Sequence, residues 1–198
     1  LNRNATAVHP SVFYASKALD SIHVEIALQY TDTYKESIFT FANNIHTGEG
    51  GMHLTGFKSA LTRTLNNYAR EKSMVKEKDE NLTAEDVREG ITAIVSVKVP
   101  EPQFEGQTKA KLGNAEVRGA VESLFGEAFA QWLEENPGDG NPIIAKCSLA
   151  QRARNAAKAA RDAVIRKGAL EGFGLPGKLA DCITRNPAQS ELYIVEGD

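Results

Sequence analysis

A chain of 198 residues, 41% of them hydrophobic, is long enough to bury a genuine core as one large or two small domains. Its formal net charge of -3 excludes the overall basicity of a protein that simply coats nucleic acid, so any such contact has to be a local patch. Two cysteines, Cys147 and Cys182, are too few for a disulfide framework and too far apart for a zinc knuckle, which points to a reducing, cytoplasmic compartment. No apolar run nears the roughly 20 residues that span a bilayer, so no membrane partner is expected. The chain starts at Leu1 and ends directly after an apolar run, and it reads as a section of something longer.

Between Ser21 and Tyr30 the residues Ile22, Val24, Ile26, Leu28 and Tyr30 alternate with polar or small ones, the period of a strand with one wet face. Thr31-Asp32-Thr33 supplies a turn, and Tyr34 to Ala42 is rich in aromatic and β-branched residues, so an antiparallel hairpin of two neighbouring strands is expected. Asn43 to His53, with Gly48, Gly50 and Gly51, has the composition of a loop. His46 and His53 flank it, without a third ligand that would make a metal site.

From Thr55 to Glu71 the residues Phe57, Leu61, Leu65 and Tyr68 recur at helical spacing. Lys72 to Asn81 reads as a charged linker, and Thr83 with Asp86 makes a variant capping box for a short helix that Gly90 ends. Ile91 to Val99 is a β-branched strand stopped by Pro100. Pro100 to Asn114 is irregular, and Val117 to Glu135 carries a second apolar helical stripe. Asn136 to Gly140 reads as a break. After Pro142 a long alanine-rich helix is expected to about Lys167, because nothing in that stretch opposes one. Leu192 to Val195 suits a buried strand, and the composition shifts near Gly168 to Gly174.

The segment Phe104-Glu105-Gly106-Gln107-Thr108-Lys109 sets an amide donor two residues from an ammonium. On an extended backbone the two side chains project to the same side and can converge on one phosphate. It is not a Walker loop, since the Gly-x-x-x-x-Gly-Lys order is absent. A loop lysine is ordinarily just solvated, so spacing alone leaves the bland reading in front.

The strings GEGGMHLTGFKSALTR, LTAEDVREGITAIVSVKVPEPQFEGQTKAKLGN, GLPGKLADC and ELYIVEGD, in this order, resemble the B subunits of bacterial DNA gyrase over nearly the whole chain. The related topoisomerase IV subunits share much of this. The Lys111-Leu112-Gly113-Asn114 that follows Gln107-Thr108-Lys109 favours gyrase. The resemblance implies an α+β transducer of ribosomal-protein type with a left-handed βαβ crossover, followed by a long helix and the start of a TOPRIM domain. It divides the chain into a tail at 1–20 after a GHKL ATPase domain, a transducer at 21–170 and the TOPRIM start at 171–198.

It further implies that Gln107 and Lys109 contact the ATP γ-phosphate, that Glu196 helps to hold magnesium in the intact TOPRIM domain, and that the subunit uses ATP and Mg2+. The implied partners are DNA, the gyrase A subunit in an assembly of two A and two B subunits, and the neighbouring GHKL and TOPRIM domains. On the long helix, Arg154, Lys158 and Arg161 stand four and then three apart as a basic stripe, either a solvated face or a DNA contact. Without an adenine and magnesium pocket the chain by itself is expected to bind no cofactor, hydrolyse no ATP and cleave no DNA. The alternative is a freestanding nucleic-acid-binding module of the same ribosomal-type fold.

Overall fold

Ile22, Val24, Ile26, Leu28 and Tyr30 are all buried while the residues between them are half-buried, so the alternation read in the sequence is the alternation of one sheet face. The computed structural model describes residues 1–75, 79–172, 184, 186–191 and 193–194. The chain divides into two compact units, Leu1–Arg154 and Asn155–Asp198.

In the first unit the elements run β1 (Phe13–Leu19), β2 (Ile22–Tyr30), β3 (Ser37–Ala42), β4 (Ile45–His46), β5 (Gly50–Gly51), α1 (Met52–Glu71), β6 (Ile91–Lys98), β7 (Phe104–Glu105), β8 (Lys111–Leu112) and α2 (Ala115–Glu135). The helix α3 (Pro137–Gly172) begins in the first unit and continues into the second. The main sheet has the order β1-β2-β6-β3-β4, and a small second sheet has the order β5-β8-β7. The architecture is thus α+β, with a mixed five-stranded sheet and, among the described residues, three α-helices.

The expected hairpin of β2 with β3 is corrected. The strand β6 lies between them, antiparallel to β2 and parallel to β3. The alternation in β2 and β3 states which face is wet, not which strand is the neighbour. The parallel pair β3–β6 is joined across α1, as a parallel connection requires. A second difference is β1, which lies where the sequence suggests only a tail. Phe13 is its one buried residue and the rest of the strand is half-buried or exposed, so this edge strand shows no two-residue period.

The core lies between the sheet and the helices. From α1, Phe57, Ala60, Leu61 and Leu65 are fully buried, and from α2 so are Val117, Val121, Phe129 and Leu133. Rings tie the layers together. Phe13 of β1 meets Phe129 with centroids 5.1 Å apart, and Phe57 meets Phe125 at 4.8 Å. The two helices come close at Gly56, whose missing Cβ would fall 2.5 Å from the Arg118 carbonyl oxygen.

The capping box is present as read. The Thr83 amide donates to Asp86 Oδ2 at 2.8 Å and the Asp86 amide to Thr83 Oγ1 at 3.3 Å, opening a 3-10 turn over Asp86–Arg88. The break expected at Asn136 to Gly140 is corrected to a one-residue corner. Helix α2 stops at Glu135, the Asn136 carbonyl accepts from the Asp139 and Gly140 amides, and Pro137 is the first residue of α3. A proline costs nothing at that position, where its amide would have no helical partner.

In the second unit α3 runs on to Gly172, and a 3-10 turn spans Pro187–Gln189 with the Asn186 side chain accepting from the Ala188 amide at 3.1 Å. Of the strand expected at Leu192 to Val195, Leu192 and Val195 lie outside the described residues, and Tyr193 and Ile194 belong to no regular element. Cys182 and the GLPGKLADC string also lie outside them. Cys147 is a buried free thiol, and burial pushes its pKa up to about 12. Among the described residues no helix is long and apolar enough to cross a membrane.

Candidate functional site

Strands β7 and β8 pair antiparallel, Phe104 opposite Leu112 and Glu105 opposite Lys111, and the loop 106–110 joins them. The backbone here is therefore a chain reversal, not the extended run on which the two side chains would share a side. Gly106 and Lys109 both take positive φ, 78° and 53°, which closes a short hairpin and breaks the simple alternation that would have carried Gln107 and Lys109 to one side. Gln107, Thr108 and Lys109 are exposed at its tip. The Lys109 ammonium lies 5.9 Å from the centroid of the Phe104 ring, and among the described residues it has no carboxylate partner. Lys111 differs, being paired with Glu105 at 2.8 Å.

The tip stands in solvent but its base is braced. The Gly113 amide donates to the Gln103 carbonyl at 2.7 Å. The buried Asn114 side chain accepts from the Gln103 amide at 2.6 Å and donates to the Glu101 carbonyl at 3.1 Å. On its other edge β8 pairs parallel with β5, Gly50 opposite Lys111 and Gly51 opposite Leu112, while the Glu49 amide donates to the Ala110 carbonyl at 2.9 Å. The hairpin is thereby joined to the first residue of α1. A cavity of about 350 Å³ lies beside this joint, with Thr55, Lys58 and Lys111 in its wall.

The two histidines of the glycine loop take separate structural roles. His53 is fully buried on α1, its Nε2 is 3.1 Å from Thr47 Oγ1, and burial lowers its pKa to about 4, so it stands as a neutral imidazole. His46 packs on the Phe41 ring at 5.4 Å. Among the described residues no group of three or more His, Cys, Asp or Glu side chains is placed to hold a metal.

Of the basic stripe on α3, Arg154 is engaged. Its Nε donates to Asp86 Oδ1 at 2.9 Å and its Nη2 to Asp86 Oδ2 at 3.1 Å, a bidentate fork on a carboxylate that is only 2% exposed. Burial would raise the Asp86 pKa, but the bonds from Arg154 and Thr83 outweigh it and hold the group below its ordinary value. Lys158 and Arg161 are exposed. The sequence marks Asp86 as a cap and gives no local signal of a partner on a distant helix. Arg154→Ala is expected to cost about 2 kcal/mol in urea unfolding, since it strands a buried carboxylate; a change below about 0.5 kcal/mol would show that the fork is idle. Glu196 lies outside the described residues.

The family model described as DNA gyrase B matches residues 1–163. The chain belongs to the DNA gyrase B family. It is 57% identical to the DNA gyrase B protein of Clostridium acetobutylicum over all of this chain and 31% of that protein, and 57% identical to the DNA gyrase B protein of Bacillus mycoides over all of this chain and 49% of that sequence. The chain therefore spans less than half the length of these gyrase B relatives. Among solved structures it resembles the 43K ATPase domain of Thermus thermophilus gyrase B in complex with an aminocoumarin, with a TM-score of 0.76 and 39% identity over 81% of this chain and 43% of that one. It also resembles the topoisomerase IV ATP-binding domain of Francisella tularensis, with a TM-score of 0.65 and 26% identity over 72% of this chain and 39% of that one.

Proposed function

We propose that this chain is the energy-coupling transducer of an ATP-dependent type II DNA topoisomerase, a gyrase, and that Gln107 and Lys109 contact the γ-phosphate of ATP held by a neighbouring GHKL domain. The observation that carries the reading is the exposed Lys109 ammonium, free of any carboxylate among the described residues, at the tip of a hairpin whose base is fastened to α1. A cation in that setting has no carboxylate to leave before it meets an incoming phosphate.

The Gln107 amide and the Lys109 ammonium are donors only toward such an anion, and their bonds exist only while the terminal phosphate is attached. ATP binding then favours the arrangement in which the loop reaches the nucleotide, and hydrolysis releases it. That is the differential affinity a two-state switch requires. ATP and Mg2+ are the cofactors of the whole subunit, with Glu196 as a magnesium ligand once a TOPRIM domain is complete. DNA and the gyrase A protein are its partners in the cytoplasm. The β3–α1–β6 connection is the left-handed crossover of the transducer in this reading. With Arg154 bonded to Asp86, Lys158 and Arg161 are the cations of the stripe left for a DNA contact.

Lys109→Ala in the intact subunit is expected to lower ATP-dependent supercoiling ~10- to 100-fold without moving the unfolding midpoint, the worth of one charge-assisted bond. Wild-type supercoiling by a well-folded variant would sink the reading. The chain alone is expected to show no ATP turnover, because Gln107 and Lys109 are only part of a nucleotide site; turnover that copurifies with homogeneous chain would count against it.

A further inference from the structure

The loop 106–110 is tied to the rest of the protein through very little backbone, and nearly all of it meets one short segment. Ala110 accepts the Glu49 amide, Lys111 pairs with Gly50 and Leu112 pairs with Gly51, and the next residue, Met52, is the first of α1. At Gly51 the two backbones leave no room for a side chain. A Cβ there would lie 2.3 Å from the Leu112 oxygen and 2.5 Å from the Leu112 nitrogen, and its φ of 135° is one that L side chains rarely adopt. Those neighbours are backbone atoms of the loop's own supporting strand, so any side chain at 51 must displace β8. Gly48, three residues earlier, has no such constraint, with only the His46 ring at 3.6 Å.

We propose that Gly51 is a positioning residue for the Gln107–Lys109 loop, and that the β5–β8 joint is the route by which a phosphate contact at the loop is passed to the first turn of α1. This rests on the γ-phosphate reading above. The joint is suited to that task because it is short and lies directly ahead of a 20-residue helix, α1, whose buried face packs into the core. A shift of β8 along the pairing moves Gly50 and Gly51, and these cannot move without the helix start.

The test is a double-mutant cycle in the intact subunit, read as the ATP concentration for half-maximal supercoiling and as kcat, with thermal unfolding measured in parallel. Gly51→Ala is expected to raise that ATP concentration about tenfold while changing kcat less, because it displaces a binding group without removing it. Gly48→Ala is expected to change neither. Adding Gly51→Ala to a variant that carries both Gln107→Ala and Lys109→Ala is expected to bring no further loss, because a residue that acts only through the loop then has no phosphate donor left to misplace.

Independent, multiplying losses would overturn the proposal, and so would a silent Gly51→Ala beside an impaired Lys109→Ala, which would leave the γ-phosphate reading standing. A silent Lys109→Ala would remove both. Should Gly51→Ala fail to fold, hydrogen exchange in the unmutated subunit gives the same decision. A non-hydrolysable ATP analogue should slow exchange at Glu49 and along the first turn of α1, and Lys109→Ala should abolish that slowing. Unchanged exchange there overturns the proposal.

Discussion

Gly56→Val is expected to lower the free energy of unfolding by at least ~3 kcal/mol, moving the urea midpoint down with little change in slope. The cause is the closeness of α1 and α2. A Cβ at 56 would meet the Arg118 carbonyl oxygen at 2.5 Å and the Arg118 carbonyl carbon and Cα at 3.3 Å. These are helix backbone atoms with no rotamer to move aside, so relief requires separating α1 from α2 where Phe57 packs on Phe125. The added methyls of valine lengthen the required separation. Two glycines of α2 supply the control. Gly119 has open space around its missing Cβ, and Gly126 only ordinary contacts, the nearest being Arg63 Nη2 at 3.5 Å. Alanine at either is expected to stabilise by roughly 0.5 to 1 kcal/mol through helix propensity alone. Equal tolerance at 56 and 119 would disprove the close approach.

The second large effect is a loss of stability on mild acidification. His53 has a folded pKa of about 4 against 6.5 for the free group, lowered by burial. Between those values the unfolded chain binds a proton that the folded chain refuses. The stabilisation is therefore complete above pH 6.5 and falls away as the pH drops toward 4, by up to about 3 kcal/mol. His9, also lowered chiefly by burial, adds in the same direction. Glu36, Asp86 and Glu116 have lowered pKa values too, but their contributions are lost only below their ordinary values of 4.5, 3.8 and 4.5. The interval from 6.5 down to 4.5 thus isolates the buried histidines. His53→Asn should flatten the stability-against-pH curve there even though it lowers stability at pH 7, and an unchanged slope would assign the acid lability elsewhere.

These two positions also mark the limits of what the sequence could disclose. Strands β2 and β6 and helices α1 and α2 were legible because each buries one face, and a buried face writes its period into the residues. Gly56 lies inside that legible helix, yet nothing local distinguishes it from Gly119. Only the Arg118 backbone across the interface does. The misplaced hairpin has the same origin, since the register of β3 is set by Ile94 and Val95 of β6, more than fifty residues away. The start of α3 was hidden because Gly138, Gly140 and Pro142 weigh against a helix residue by residue, and tertiary burial of Ile143, Ile144 and Cys147 overrides them. At the site, the residue types at 107 and 109 suggested an anion clamp only weakly. The resemblance to gyrase B supplied the role proposed for them, and the structure added the hairpin, an ammonium with no carboxylate partner among the described residues, and the joint at Gly51.

The central place of β6 in the sheet bears on the order in which the chain can fold as it is made. The β1–β2 hairpin closes across Asp20 and Ser21 and needs only the first 30 residues. Strands β2 and β3 cannot join each other, and each keeps an unsatisfied edge until Ile91–Lys98 slides between them. The whole stretch from Ala42 to Lys98 must therefore be made before either inner edge is covered. During that interval the aromatic and β-branched residues of β2 and β3 stand open to wrong partners, which makes the stretch between them and β6 the part of the sequence where a pause or a stable local misfold would do most harm.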